Sequence, residues 1–429
     1  MHYVIIGGSA AGISAAESIR GIDKKSAITL IGDEVTPLYS RCLLSYLLAG
    51  TINEGNVHFK KRNFFQANDV EALLGVRAET IDTKASSVKA SGKQKIAYDK
   101  LLIATGSRSK MLEIPGVEKD GVFALRTIKD ARGIEATLKR TRTAVVLGGG
   151  LIGLRAAYAL NSRGVIVKVV VKSSQILSQI VDAQAAAMVQ GRVEQKGITI
   201  MKGLQAREIR GKEKVQGVSL DDGKTVECEL VIIGKGVEPN INLARDAGVE
   251  TGYGIRANDF LETSAKGIYA AGDVAETKDI TSGEVALNAI WPCAVEQGTI
   301  AGRNMAGEPL SYDGSMAMNS IEFFGLPVIS MGITRPKSPD YEQLSALSEK
   351  RGYYRKVVLK DGIIKGFISA GSIEHSGVYN VLIKNRVNVS SIKEVLLDEH
   401  FNYAKAMPLI RENKDKFHKD EFKDSIITY

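Results

Sequence analysis

Two stretches of the chain repeat one pattern of apolar and polar positions. Residues 3–12 read YVIIGGSAAG, and residues 143–153 read TAVVLGGGLIG. In each, a short β-branched run meets a glycine cluster and then a stretch with helical period, ISAAESIRG or LRAAYALNSRG. A second apolar strand follows each helix, SAITLIG in the first case and VIVKVVV in the second. Strand, helix and strand, met twice, predict βαβ units in a doubly wound α/β fold. Between the repeats lies a strand-rich stretch ending in YDKLLIATGS (98–107). CELVIIGKGVEPN (228–240) and TSAKGIYAAGDVAE (263–276) repeat the theme, each a strand running into glycine. Pro115 with Gly116, and Pro239 with Asn240, mark crossings between domains.

From about Ser315 the pattern changes. YYRKVVLKDGIIKGFISAG (353–371) predicts two antiparallel strands around Asp361–Gly362, a hairpin dipeptide. HSGVYNVLIKNRV and SSIKEVLLDEHF read as helices, and RENKDKFHKDEFKDS as a charged surface tail.

Composition narrows the class. With 429 residues, two or three domains are expected, and 44% hydrophobic with 25% charged residues is globular. No run of about 18 apolar residues predicts a membrane span. The opening MHYVIIGGSAAG has no basic leader, so no secretory signal is expected. Cys42, Cys228 and Cys293 lie far apart with no CxxC, which argues against zinc, a cysteine-ligated iron–sulfur cluster or a disulfide framework in this chain. No metal is expected, and the cytoplasm is the simplest compartment. The net charge of +8 is spread out, and aromatics are only 6%, so nucleic acid is not the expected partner. The charge suits an acidic partner or anionic cofactors, and equally simple solubility.

Gly7-Gly8-Ser9-Ala10-Ala11-Gly12 is a variant of the dinucleotide fingerprint. Gly7 permits the tight turn, small Ser9 admits a pyrophosphate, and Gly12 allows close helix–strand packing. Glu34 lies roughly 20 residues on, where an acid binds a ribose hydroxyl. Gly148-Gly149-Gly150-Leu151-Ile152-Gly153 is the full G-x-G-x-x-G. Two fingerprints in one chain imply two dinucleotides, such as a flavin and a nicotinamide. An acid that would select NAD is expected after VIVKVVV, but Lys172 stands there, followed by Ser173 and Ser174. A cation and two hydroxyls suit a 2′-phosphate and hence NADP(H). The other reading is a surface lysine at a site that tolerates NAD.

The order of these motifs resembles the pyridine nucleotide-disulfide oxidoreductase superfamily over about residues 1–310. The resemblance implies a flavin domain in two parts, 1–114 and 244–314, a nicotinamide domain at 115–243, and an interface domain at 315–429. It implies that Asp273, after Gly272, meets the flavin ribityl chain; a helix N-cap is the alternative. Ala104, Thr105 and Gly106 match the crossing motif, Ala78 a position whose backbone meets adenine, and Gly236 the strand-GxxPN motif. PLYSRCLLSYLLAG (37–50), with Arg41 and Ser45, resembles rubredoxin reductases, ferredoxin reductases and the flavin part of nitrite reductases. AIWPCAVEQGTIAGRNMAG (289–307) resembles the same branch, with Trp291 near the flavin or packed in the core.

Cys42 and Gly50 have the spacing of a single redox cysteine in NADH oxidases, peroxidases and coenzyme A-disulfide reductases. There a thiolate beside a flavin and a helix N-terminus would have a lowered pKa. Leu43 replaces the glycine usual after that cysteine, so a packed small hydrophobe is the competing reading. Arg155 stands where the family has a glutamate.

The resemblance implies an FAD flavoprotein enzyme that exchanges electrons with NAD(P)H and a separate iron–sulfur or rubredoxin-type protein, as an oligomer or the diaphorase subunit of a complex. A thiol-dependent disulfide, peroxide or persulfide reductase using Cys42, and a non-catalytic flavin-binding subunit, are the alternatives. Lys356, Lys360, Lys365 and Lys384 are expected either to steer the acidic partner or only to solvate a surface.

Overall fold

The computed structural model describes residues 1–92 and 95–417. Contacts divide the chain into two units. One comprises Met1–Ser174, Gly197–Asp279 and Gly283–Ser315; the other comprises Gln175–Lys196, Ile280–Ser282 and the chain from Met316.

The first unit holds two five-stranded parallel sheets. One runs in the order Ile268–Ala270, Lys100–Ile103, His2–Ile6, Ala27–Gly32, Val70–Leu74. The other runs Thr199–Lys202, Ile166–Val171, Thr143–Leu147, Leu230–Ile233, Val122–Phe123. Parallel sheets are covered on both faces, which is why these strands read as unbroken apolar runs: Ile5, Leu30, Leu102, Val145 and Ile232 are all fully buried. In each sheet the central strand leads into the glycine turn, and the chain continues to opposite sides of it. That is the topological switch point where this architecture binds its ligands.

The two crossings between the sheets pair with each other. Ser107–Ser109 runs antiparallel to Val237–Pro239, and Asn240 bonds Thr105 and Gly106 through its side-chain and backbone amides. Helix Ala10–Ile22 packs against helix Trp291–Met305. A Cβ at Gly298 would stand 2.2 Å from the Ala11 carbonyl oxygen, and one at Gly302 2.6 Å from that of Ala15. The two glycines of QGTIAG therefore exist for close helix approach.

In the second unit an antiparallel sheet runs Met318–Phe323, Leu326–Gly332, Ile363–Ala370, Tyr353–Lys360, Glu342–Ser348. The predicted hairpin is present, with Asp361 and Gly362 both left-handed at φ 53° and 72°, as a twist-matched two-residue turn requires. Helix Ser376–Lys384 buries Val378, Tyr379 and Leu382 against it.

Two expectations change here. SSIKEVLLDEHF contains only a 3-10 stretch, Ser390–Val395, broken at Ile392. The α-helix comes later, at Tyr403–Glu412, and buries Leu409 and Ile410. Phe417 is also buried, so the start of the predicted tail belongs to the core; residues 418–425 of it lie outside the described residues.

Segment 175–196, expected in the nicotinamide domain, groups with this sheet. Asp182 caps helix Ala183–Gln195, accepts a 2.6 Å hydrogen bond from the Tyr354 hydroxyl and pairs with Lys356 at 3.2 Å. Lys356 is thus 8% exposed and neutralised, and cannot steer a partner. Lys360 faces Asp340 at 3.9 Å.

Candidate functional site

At the first turn the strand His2–Ile6 hands over to Gly7, at φ +122°. A Cβ there would sit 2.0 Å from the Ala104 carbonyl oxygen, and one at Gly12 1.9 Å from that of Gly7. Gly8 and Ser9 complete the turn, Ser9 is the N-cap, and Ala10 and Ala11 open the helix. Its first backbone N–H groups are left for an anion, as a dinucleotide requires.

Beside this turn lies a cavity of about 290 Å³ lined in part by Gly7, Asp33, Ala78, Thr105 and Asn240. The first turn, the Ala78 strand and the crossing motif therefore meet in one place. The acid on that cavity is Asp33. Glu34 is engaged elsewhere: its carboxylate accepts from the Tyr39 hydroxyl at 2.5 Å and pairs with Arg41. Burial raises the Tyr39 pKa, so the phenol remains a donor. Arg41 also donates to the Arg126 carbonyl at 2.9 Å. Glu34 and Arg41 thus tie the loop after the second strand to the entry of helix Ile128–Leu138.

Gly272 is left-handed at φ +81°, and its N–H donates to Gln297 at 2.8 Å. Asp273 follows. Its carboxylate accepts from Arg126 at 2.8 Å and from the Ser107 hydroxyl at 2.9 Å. Arg126 also holds the Ser107 carbonyl at 2.5 Å. Gln297 stands inside the AVEQG motif, where local sequence could mark it, whereas no local pattern marks Arg126.

Cys42 lies within the same electrostatic neighbourhood, sensing Asp273 and Arg126. Part of the residue is exposed, yet the atoms enclosing its thiol push its pKa up, against the pull of a Ser40 hydrogen bond. The lowered pKa expected of a ready thiolate is absent. Trp291 opens its helix and meets Phe59 edge-on at 5.0 Å.

The second turn repeats the first. Gly148 is at φ +133°; its Cβ would stand 2.2 Å from the Gly234 carbonyl oxygen, and that of Gly153 2.0 Å from the oxygen of Gly148. Gly149 lies between Gly148 and Gly150, the N-cap of the helix that Leu151 and Ile152 begin. A Cβ at Gly150 would meet no atom within 4 Å, so the second turn leaves open space at its helix N-terminus; the same is true of Gly106 and Gly236, which precede the two crossing strands. Both sets of residues fit a dinucleotide. Lys172 is exposed at the end of Ile166–Val171. Arg155 donates to the Ser45 hydroxyl at 3.1 Å and lies 4.2 Å over the Tyr46 ring, joining its helix to Leu44–Ala49.

A pyridine nucleotide-disulphide oxidoreductase model matches residues 1–298. The chain belongs to that family. A rubredoxin NAD+ reductase C-terminal domain model matches residues 318–387. FAD and NAD(P)H are therefore its cofactors. The nitrite reductase [NAD(P)H] of Bacillus subtilis (strain 168) is 31% identical over 92% of this chain and 48% of its own. The rubredoxin-NAD(+) reductase of Pseudomonas putida is 31% identical over 72% of this chain and 80% of its own. A solved ferredoxin reductase for the CYP199A2 system of Rhodopseudomonas palustris has a TM-score of 0.80 at 28% identity, covering 86% of this chain and 91% of that one. The chain spans about half the length of the Bacillus enzyme. Among the described residues no helix is long and apolar enough to cross a membrane, and no cluster of His, Cys, Asp and Glu forms a metal site.

Proposed function

We propose that the chain takes reducing equivalents from NAD(P)H and delivers them to a separate iron–sulfur or rubredoxin-type protein. The observation that carries this is the pairing of two dinucleotide turns through one antiparallel ribbon, Ser107–Ser109 with Val237–Pro239. The ribbon ties the two turns to one scaffold. Bound FAD would supply the conversion between hydride and single-electron chemistry.

The protein's part is binding and orientation. The amides after Gly7 receive one pyrophosphate, and Asp33, rather than Glu34, accepts from the ribose on the cavity side. Asp273, fixed by Arg126 and Ser107, accepts from a ribityl hydroxyl. Gly148–Gly153 hold the second pyrophosphate, with Lys172 facing a 2′-phosphate. The relative named a rubredoxin-NAD(+) reductase supports the redox-protein partner, and three cysteines outside any disulfide suit a cytoplasmic setting. An oligomer, or a subunit of a larger complex, is part of the same reading.

The test is anaerobic titration of the yellow protein with NADPH and NADH, followed by addition of oxidised rubredoxin or ferredoxin. Flavin bleaching by nucleotide and recolouring by the redox protein are expected. Bleaching that oxidised rubredoxin and ferredoxin both leave unreversed, while a small disulfide or persulfide reverses it, would refute the proposal.

A further inference from the structure

Two lysines flank the second glycine turn. Lys172 follows Ile166–Val171, and Lys235 stands two residues beyond Leu230–Ile233. Those strands lie on the two sides of Thr143–Leu147. Leu147 is level with Val170 on one side and with Ile233 on the other. Lys172 and Lys235 therefore lie just beyond the ends of the two strands that flank the one leading into the turn.

Gly234 is pressed onto the turn. Its Cβ would stand 2.8 Å from the Gly153 Cα, and that of Gly148 2.2 Å from the Gly234 oxygen. The backbone that carries Lys235 therefore runs directly against the turn. Lys235 is half-buried. Burial and the Lys172 charge both lower its pKa. Two like charges that sense each other beside an anion-binding turn are relieved by an anion between them.

The position of Lys235 says which anion. In this fold the pyrophosphate lies over the glycine turn at the helix N-terminus, and the ribose 2′ position lies at the end of the following strand. Lys172 is on the ribose side, and Lys235 is on the opposite side of the turn. We propose that Lys235 holds the pyrophosphate of the nicotinamide coenzyme, positioning coenzymes with and without a 2′-phosphate alike. This rests on the assignment of the second turn to NAD(P).

The experiment is isothermal titration of the oxidised, FAD-loaded protein with NAD+, NADP+ and ADP-ribose. Lys235→Gln should weaken all three about tenfold, equivalent to ~1.4 kcal/mol. Lys172→Gln should weaken NADP+ alone. Lys235→Arg, which keeps the charge, should bind all three nearly as wild type does, and unchanged FAD content and Tm should show that the variants are folded. Loss of NADP+ binding alone in Lys235→Gln would assign Lys235 to the 2′-phosphate and overturn the proposal, as would no change with any ligand. If wild type binds none of the three, the NAD(P) assignment of the turn falls, and the proposal with it.

Discussion

Replacing Gly12 with alanine adds one methyl group at the most crowded point of the first turn. The new Cβ would stand 1.9 Å from the Gly7 carbonyl oxygen and 3.1 Å from both the Gly7 carbonyl carbon and the Ile5 Cγ2. Real Cβ atoms essentially never come within 3.0 Å of such neighbours, so helix and turn must separate by about 1 Å. Neither is free to do so. The Gly7 N–H is bonded to the Ile31 carbonyl at 2.8 Å, and the helix is clamped by Gly298 and Gly302. Overpacking of this kind costs about 1–3 kcal/mol. If the cost falls on the cradle-forming conformation, FAD binds roughly 5- to 150-fold more weakly. The assay is the flavin-to-protein absorbance ratio after long dialysis, with affinity from flavin fluorescence. Gly21→Ala on the same helix is the control. Gly21 is exposed and its Cβ meets no atom within 4 Å, so alanine there should stabilise by about 0.5–1 kcal/mol. Gly12→Ala protein with full FAD content and Tm within about 1 °C of wild type would refute the reasoning, since even 1 kcal/mol moves Tm by a few degrees.

Lys172→Glu should shift preference from NADPH toward NADH, because a carboxylate accepts ribose hydroxyls and repels a 2′-phosphate; a wild-type preference for NADH of tenfold or more, ~1.4 kcal/mol, would contradict this. Arg126→Met strands the Asp273 carboxylate and should cost about 1–3 kcal/mol, less than a fully buried pair because both side chains keep some solvent; calorimetry showing an unchanged Tm with normal FAD content would count against it. The raised pKa of Cys42 keeps the thiol protonated at neutral pH, so its alkylation by iodoacetamide should be slow at pH 7 and rise only through and above the ordinary thiol range near 9.0. A midpoint below pH 7 would restore the reactive-thiolate reading. Cys42→Ser should leave reduction of a one-electron acceptor nearly intact, and its loss together with a disulfide reductase activity would overturn the electron-transfer proposal.

What the sequence determined by itself is what local geometry demands. Each fingerprint closes within six residues. Gly7 and Gly148 need left-handed φ, and Gly12 and Gly153 touch the turn five residues back, so no distant partner is needed to read them. The sheets were legible because strands buried on both faces must be apolar throughout, and the 361–362 turn because only a few residues tolerate two positive φ angles in succession. The tertiary structure decided which polar groups face which. Asp33 and Glu34 are neighbours in sequence, and only Tyr39 and Arg41, brought back by the following loop, turn Glu34 away from the cavity. Arg126 reaches Asp273 across 147 positions of chain. Lys356 looked like surface charge until Asp182 was brought against it. A lysine or arginine has the same composition whether solvated or paired, and its role depends on long-range closure that no local pattern records. The same holds for Lys172 and Lys235, which come to the two sides of the second turn only because their two strands flank a third.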